Sequence, residues 1–303
     1  ITELDRASCG PAPLADALPA PARWRSVALS PVDGFDLVRL LATHLLLRRR
    51  RRDGRGTAEA GRAGTAAGSM GDSAIGDPHA RFREDYLRLL RCIRFAARFD
   101  FSIDDSTRKA LSALAGRVES IAAERVEEEL TRMLTDPGAV HGLELMMESG
   151  LLSAILPEVA RLRGVEQPPE FHPEGDVWTH SLLVMGQLDN PAPELAWSAL
   201  LHDIGKEPTF EVRDRIRFNL HDVVGAKMAE GICRRLRMSN ARTERIGELV
   251  AQHMRIRNVL HMRESTRRRF LRQDCFLHLL ELHRADCMGC HGKLDLYEYC
   301  QTQ

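Results

Sequence analysis

The chain has 303 residues, of which 44% are hydrophobic and 28% charged, and its formal net charge is zero, so it can bury the core of one large or two smaller domains. No apolar run approaches the roughly 18 residues that cross a membrane, and the seven cysteines are too irregularly spaced for a disulfide framework. The sequence starts without a basic segment followed by an apolar run, so we expect no membrane association and a reducing, cytoplasmic location.

Residues 1–76 lack sustained hydrophobic periodicity. The stretch RRRRRDGRGTAEAGRAGTAAGSMG within them is almost entirely Arg, Gly and Ala, a composition that gives neither a strand nor a defined helix face. We therefore predict that residues 1–76 are poorly structured.

Residues 77–165 change to helical periodicity, with apolar residues three and four apart. The stretches REDYLRLLRCIRFAARFDF, SIAAERVEEELTRML and GAVHGLELMMESG each predict an amphipathic helix. The first of them carries two sets of residues at helical spacing: the apolar Leu87, Leu90, Cys92, Phe95 and Phe99, and the basic Arg88, Arg91, Arg94 and Arg98.

The Pro-rich stretch GVEQPPEFHPEG predicts a boundary near residue 165. Further helices are predicted near 176–188, 193–203, 221–237, 239–254 and 274–290. No run of alternating strand residues occurs beyond residue 77, so the predicted fold is all-α, with a helical body at 77–165 and a second helical domain at 166–303.

Positive charge is concentrated between Arg234 and Arg272, a span that contains twelve Arg or Lys residues and only three Glu residues. The run ends in RESTRRRFLR, which contains Arg267, Arg268 and Arg269. A solvated helix face is one interpretation of this span, and contact with the phosphates of a nucleic acid is the other.

The stretch HRADCMGCHG permits two chemistries. Cys287, Cys290 and His291 have the C-x-x-C-H spacing that attaches a c-type haem, whereas Asp286 could complete a metal site built elsewhere. Covalent haem attachment belongs outside the cytoplasm, and free cysteines on an apolar helix face behave as small hydrophobes. We therefore expect no haem.

Imidazole and carboxylate side chains recur beside apolar residues in the second helical region. They are His180, the adjacent His202 and Asp203, His221, His253 and Asp286. Each alone could be a hydrogen-bonded core residue. Together they suit a divalent transition metal, because helical bundles build metal sites from separate helices.

The pattern H...HD...D, with LLHDIGK at its centre, resembles the HD-domain phosphohydrolases. The resemblance implies that His180, His202, Asp203 and Asp286 hold one divalent metal, namely Mg, Mn, Ni or Co. Some members hold a second metal with two extra histidines, and the resemblance implies that His221 and His253 are those histidines here. Phosphoester hydrolysis would then depend on His202 and Asp203, with Lys206 stabilising phosphate charge.

The stretch DPHARFREDYLRLLRCIRFAARFDFSIDDSTRKAL resembles the neck of the tRNA nucleotidyltransferase and poly(A) polymerase family, which includes the bacterial CCA-adding enzymes. The resemblance covers roughly residues 75–303. It implies that tRNA is a partner and that Asp85 and Arg88, with Arg91, bind the base of CTP or ATP. Arg94 and Arg98 would contact RNA. The alternative for Asp85 and Arg88 is an ion pair on the helix surface.

The chain departs from that family in its first 76 residues. Nucleotidyl transfer needs paired carboxylates on two metals, and no Asp-x-Asp occurs in the sequence. We therefore expect only weak nucleotide binding and no nucleotide addition by this chain alone. A lost head, an out-of-frame reading of GC-rich DNA or a head supplied by another chain would each give this pattern. Two functions remain: a metal-dependent phosphohydrolase on a tRNA-binding body, or a non-catalytic RNA-binding remnant with structural histidines.

Overall fold

The computed structural model describes residues 47–49, 77–170 and 172–303. Of residues 1–76, which we predicted to be poorly structured, only 47–49 are described. The prediction therefore concerns residues that lie outside the described part of the chain. Within the described part fourteen α-helices form the fold, which confirms the all-α prediction. None of these helices is long and apolar enough to cross a membrane.

The helices before residue 165 form the body. They are α1 (Pro78–Glu84), α2 (Leu87–Phe99), α3 (Asp105–Leu114), α4 (Ala123–Leu134), α5 (Ala139–Ser149), α6 (Leu151–Ile155) and α7 (Pro157–Ala160). A 3-10 helix at Ala115–Ser120 links α3 to α4.

The helices after residue 165 form the second region. They are α8 (Val177–Gly186), α9 (Pro193–Leu201), α10 (His221–Arg235), α11 (Asn240–Gln252), α12 (Glu264–Leu271), α13 (Phe276–Cys290) and α14 (Asp295–Gln301). A 3-10 helix at His253–His261 follows α11 without a break.

Two short antiparallel strand pairs were not predicted. Strand β1 (Leu47–Arg49) pairs with β2 (Phe101–Ile103), and β3 (Phe210–Val212) pairs with β4 (Ile216–Phe218). Each strand has three residues, which is too short for alternation to register in a sequence. The β3–β4 hairpin matters below because it stands beside the candidate site.

Several helices begin where an Asp or Ser accepts hydrogen bonds from free backbone N–H groups. Asp77 caps α1, Asp104 caps α3, Asp176 caps α8 and Ser239 caps α11. Helix α5 ends at Gly150, whose φ of 79° is a left-handed conformation that glycine adopts without a steric penalty.

One hydrophobic core crosses the predicted boundary near residue 165. The largest buried cluster extends from Phe82 in α1 to Ala285 in α13. The fully buried Trp197 of α9 donates its indole N–H to Thr131 Oγ1 of α4 at 2.7 Å. Arg242 of α11 lies 2.7 Å from Glu127 of α4. The body therefore packs directly against the region that carries the predicted metal residues.

A buried carboxylate organises the long helix of the body. Glu129 of α4 accepts from Arg91 Nε at 2.9 Å and from Arg94 Nε at 2.7 Å. Arg94 is buried, and its guanidinium also lies 4.2 Å from the Phe95 ring. Arg94 is therefore engaged inside the fold, and its expected contact with RNA stays a prediction.

We predict that Glu129→Ala destabilises the protein by about 3–5 kcal/mol, because the buried Arg94 would lose its carboxylate. Urea denaturation followed by circular dichroism measures the change. The control is Glu128→Ala on the same helix, where the carboxylate is exposed and pairs only with Arg132. Equal effects of the two substitutions would contradict the structural role of Glu129.

Candidate metal centre

Five chain segments bring the six predicted metal residues to one place. His180 lies on α8, the pair His202 and Asp203 directly follows α9, and His221 is the first residue of α10. The other two are His253, which directly follows α11, and Asp286 on α13. All six are buried or nearly so.

The first cluster consists of His180, His202 and Asp286. The His180 and His202 Nε2 atoms are 3.3 Å apart, and His180 Nε2 is 3.1 Å from Asp286 Oδ1. One ligand atom from each residue lies within 4.8 Å of the others. The three atoms are close enough for a single ion to contact all of them.

The second cluster consists of His221, His253 and Asp203. The two histidine Nε2 atoms are 3.3 Å apart, and they lie 3.6 and 3.8 Å from Asp203 Oδ1. The other oxygen, Oδ2, faces the first cluster at 3.2 Å from His202 Nε2. Asp203 therefore stands between the clusters with one oxygen directed to each.

The Nδ1 atoms of three histidines are fixed by backbone carbonyls. His202 contacts Ala199 O at 2.9 Å, and His221 contacts Phe218 O at 2.9 Å. His253 contacts Val250 O at 2.7 Å. A carbonyl only accepts, so each Nδ1 carries a proton, and Nε2 is the ring atom that is directed into the site.

The Nε2 atoms of His221 and His253 face each other in an arrangement that suits a bound cation. Two bare Nε2 atoms at 3.3 Å, as in His221 and His253, cannot hydrogen-bond to each other when both rings are neutral. Burial, together with the nearby His202 ring, lowers the pKa of His253 to about 4, so this ring is neutral at physiological pH. A metal ion would satisfy both lone pairs, and the residues present therefore fit such a group.

The first cluster also fits a cation, because its buried carboxylate requires a positive charge nearby. Burial opposes a charge on His180, but hydrogen bonds with Asp286 and Glu174 raise its pKa to about 9. Burial likewise opposes ionisation of Asp286, yet the His180 hydrogen bond and charge hold the pKa of Asp286 well below its usual range. Without a metal, a proton on His180 supplies the positive charge that this carboxylate requires.

Sequence reasoning missed the carboxylate that orients His180. Glu174 Oε1 lies 2.8 Å from His180 Nδ1 and 2.8 Å from His172 Nδ1. Burial raises the pKa of Glu174, but the hydrogen bonds with His172 and His180 outweigh it and lower the pKa to about 2. The available signal was an acidic residue six positions before His180, in the stretch interpreted only as a boundary.

Lys206 lies inside the site rather than at its mouth. Its Nζ is 2.7 Å from Asp203 Oδ2 and 2.6 Å from Gln167 Oε1. Two of the three ammonium N–H donors are therefore used, which leaves one for the adjoining cavity. Lys206 also compensates the charge of Asp203, whose pKa is held well below its usual range despite burial, chiefly by His202 and Lys206.

A cavity of about 380 Å³ opens over both clusters. Its rim contains Arg215 and Arg217 from the β3–β4 hairpin and Arg257 from the 3-10 helix after α11. Sequence analysis singled out none of these three residues. The cavity size falls within the range for small-molecule sites.

Gly205 lets the two clusters approach each other. A Cβ atom on Gly205 would stand 2.0 Å from the backbone oxygen of His221 and 2.7 Å from Gly225 N. No side chain fits this gap. The glycine of LLHDIGK therefore sets the distance between Asp203 and the start of α10.

The predicted nucleotide-binding residues lie apart from this site, around the start of α2. Asp85 Oδ1 accepts from Leu87 N at 3.0 Å, and Asp85 Oδ2 is 3.5 Å from Arg125. Arg88 pairs with Glu84 at 2.5 Å. Asp85 and Arg88 therefore do not form the surface ion pair considered as the alternative, and their base-binding role stays a prediction.

The predicted RNA-binding residues lie on two surfaces. Arg98 is half-exposed on α2, 3.6 Å from Asp136. Arg267, Arg268 and Arg269 lie on α12, where Arg268 pairs with Glu264. Arg268 and Arg269 line a surface cavity of about 630 Å³.

The residues of the C-x-x-C-H stretch have local partners in the helix. Burial raises the pKa of Cys287 to about 11 and that of Cys290 to about 12. Cys290 Sγ donates to Asp286 O at 3.1 Å. Both side chains are therefore thiols at neutral pH, whereas Asp286 points to His180.

Two family models match separate parts of the chain. Residues 100–162 match the probable RNA and SrmB-binding site of polymerase A, and residues 177–282 match the HD domain. Five of the six clustered residues lie within the HD match, and Asp286 lies just beyond it. The HD match indicates a metal-dependent hydrolase domain with divalent metal use.

The relatives found are multifunctional CCA proteins. The protein of Alkalilimnicola ehrlichii is 33% identical over 192 residues, which cover 61% of this chain and 46% of that protein. The protein of Laribacter hongkongensis is 34% identical over 223 residues, covering 70% and 55%. The chain thus spans about half the length of these relatives. A solved tRNA-processing enzyme complex aligns with a TM-score of 0.46 at 17% identity, covering 74% of this chain and 54% of that chain.

We predict that Gly205→Ala separates the two clusters, because the added methyl group would overlap the backbone of His221. The expected result is a loss of bound metal and a lower Tm. Gly231→Ala on α10 is the matched control, since a Cβ there meets no atom within 4 Å and alanine favours the helix. Normal metal content in Gly205→Ala would contradict this role.

Proposed function

We propose that this chain, which belongs to the CCA-adding-like family with an RNA-binding segment and an HD domain, hydrolyses phosphoesters at a divalent metal centre. The observation that supports the proposal most directly is the convergence of four histidine Nε2 atoms in two pairs around Asp203. In the His221–His253 pair, two neutral rings would direct lone pairs at each other, an arrangement that purely structural histidines would avoid.

Six residues would hold the metals. His180, His202, Asp203 and Asp286 would hold one ion, and Asp203, His221 and His253 would hold a second. Asp203 would bridge the two ions, since each of its oxygens already faces one cluster. Imidazole ligands predominate, which favours Ni or Co over Mg and Mn.

A divalent metal in this position supplies Lewis-acid polarisation of a phosphoryl oxygen and lowers the pKa of water. The chain's own residues prepare the site for that chemistry. Glu174 and the three backbone carbonyls fix the orientation of the imidazoles, and Lys206 holds Asp203 in place. Lys206 lines the cavity, and its third N–H would donate to a phosphate oxygen there.

Binding of tRNA through the body and α12 is the second part of the proposal. Of the four arginines lining the α12 cavity, Arg269 and Arg272 make no ion pair with other described residues. Unpaired cations on one surface attract a phosphate backbone. The match to an RNA-binding family segment and the CCA-protein relatives support tRNA as the RNA.

Nucleotide addition is not part of this proposal. Nucleotidyl transfer needs paired carboxylates, and the sequence contains no Asp-x-Asp. The expectation that this chain alone adds no nucleotides stays a prediction, as does weak binding of CTP or ATP near Asp85 and Arg88.

We predict that the purified protein retains a divalent transition metal and hydrolyses a phosphomonoester or a 2',3'-cyclic nucleotide. His202→Ala and Asp203→Ala should each abolish both properties, because each removes a ligand. Elemental analysis and hydrolysis assays measure the two properties. Activity that survives both substitutions and chelation would overturn the assignment.

The second metal position has its own test. His221→Ala should reduce the metal content from two ions to one, since it removes one side of the His221–His253 pair. His261→Ala, an exposed histidine at the end of the adjoining 3-10 helix, is the control and should leave metal content unchanged. An unchanged stoichiometry in His221→Ala would leave a one-metal site.

We predict that tRNA affinity falls steeply with salt and that replacing Arg267, Arg268 and Arg269 together by Ala flattens this dependence. The log–log slope should change by roughly one unit for each phosphate contact removed. Replacing the same three residues by Lys keeps the charge and should preserve the slope. Filter binding over a salt series measures both variants, and identical slopes would assign the run to a solvated face.

A further inference from the structure

The rim of the cavity over the metal centre is more cationic than the proposed reaction requires. The acidic residues that line the cavity are Asp203 and Asp286, and both face the histidine clusters. The lining cations are Lys206, Arg215, Arg217 and Arg257. Lys206 is buried and donates to Asp203 and Gln167 inside the site, so the three guanidinium groups are the more exposed cations of the lining.

Arg215 and Arg217 are presented together by the β3–β4 hairpin. They lie two residues apart in and beside β4, a spacing that places side chains on one face of a strand. Arg215 is exposed and makes no ion pair with another described residue. Arg217 pairs with Asp214 through Nη2 at 2.7 and 2.9 Å, whereas its Nε is buried without a hydrogen-bond partner.

Arg257 lines the cavity from a different element, the 3-10 helix at His253–His261. Its Nη2 is 3.4 Å from Asp286 Oδ2, and its side chain is 43% exposed. One edge of this guanidinium therefore contacts the metal centre while the rest remains open to a ligand. The three arginines thus come from two separate elements and line one small cavity.

We propose that Arg215 and Arg217, with Arg257, form a phosphate-binding rim that makes the site prefer dianionic phosphomonoesters to monoanionic phosphodiesters. The inference rests on the proposed hydrolase function and assigns its specificity to these residues. Coulomb attraction to a fixed cation scales with the charge of the substrate. A monoester also presents three non-bridging oxygens, which a planar guanidinium can bind in pairs.

The test compares two chromogenic esters on the 303-residue protein loaded with Ni or Co. The substrates are p-nitrophenyl phosphate, at a pH where it is a dianion, and bis-p-nitrophenyl phosphate. Arg215→Gln should raise KM for the monoester on the order of tenfold and for the diester about threefold, since the lost free energy scales with substrate charge. The value of kcat should change little, because Arg215 contacts no proposed metal ligand.

Arg213→Gln is the matched control. Arg213 lies on the same hairpin and pairs with Glu211, but it does not line the cavity. It removes the same charge from the same loop, so a general electrostatic effect would appear in both variants. Equal KM values in Arg213→Gln and Arg215→Gln, or equal losses on the two esters, would overturn the rim proposal.

Calorimetric titration with inorganic phosphate gives a readout that does not depend on turnover. Arg215→Gln and Arg217→Gln should weaken phosphate binding on the order of tenfold each, whereas Arg213→Gln should not. If the wild-type protein hydrolyses neither of these esters nor a 2',3'-cyclic nucleotide, the proposed function fails, and phosphate binding still decides the rim. If the wild type hydrolyses both esters and phosphate binding is unchanged in the rim variants, the rim alone is rejected.

Discussion

The buried carboxylate of Asp203 is the constraint on which this region of the fold depends. An ionised carboxylate in a protein interior must be compensated, and here both of its oxygens are surrounded by nitrogen. His202 and Lys206 lie on the Oδ2 side, and His221 and His253 lie on the Oδ1 side. Because these partners belong to different segments, satisfying one charge fixes the relative positions of α9, α10 and α11.

Backbone geometry makes this compensation possible. The chain turns at Leu220, whose φ of 61° lies in the left-handed region, and His221 begins α10 directly afterwards. Gly205 removes the side chain that would otherwise keep α10 away from the turn after α9. The backbone carbonyls at Ala199, Phe218 and Val250 then direct three imidazoles inward. The site is thus preorganised by the main chain, which costs no further ordering when a ligand binds.

The body packs directly against the helices that carry the metal centre. The shared core, the Trp197–Thr131 hydrogen bond and the Arg242–Glu127 pair join α4 to the helices that carry the histidines. Gln167, in the connection between the two regions, accepts directly from Lys206 at the site. An RNA held on the body would therefore lie on helices that pack directly against the proposed hydrolase site.

The sequence by itself indicated eight of the fourteen α-helices in the described part of the chain and the six clustered residues. Apolar periodicity and caps are local properties, so the helical fold was predicted with boundaries only a few residues from those observed. The H...HD...D pattern indicated His180, His202, Asp203 and Asp286, and the family resemblance added His221 and His253; the structure brings all six together. Only the tertiary structure decided which residues support and surround them, because those contacts join segments far apart in the chain. It placed Glu174 behind His180, set Arg215, Arg217 and Arg257 at the cavity, and buried Arg94 against Glu129. A sequence shows that a residue is charged, but only the packed fold shows whether that charge meets a carboxylate, a metal ligand or open solvent.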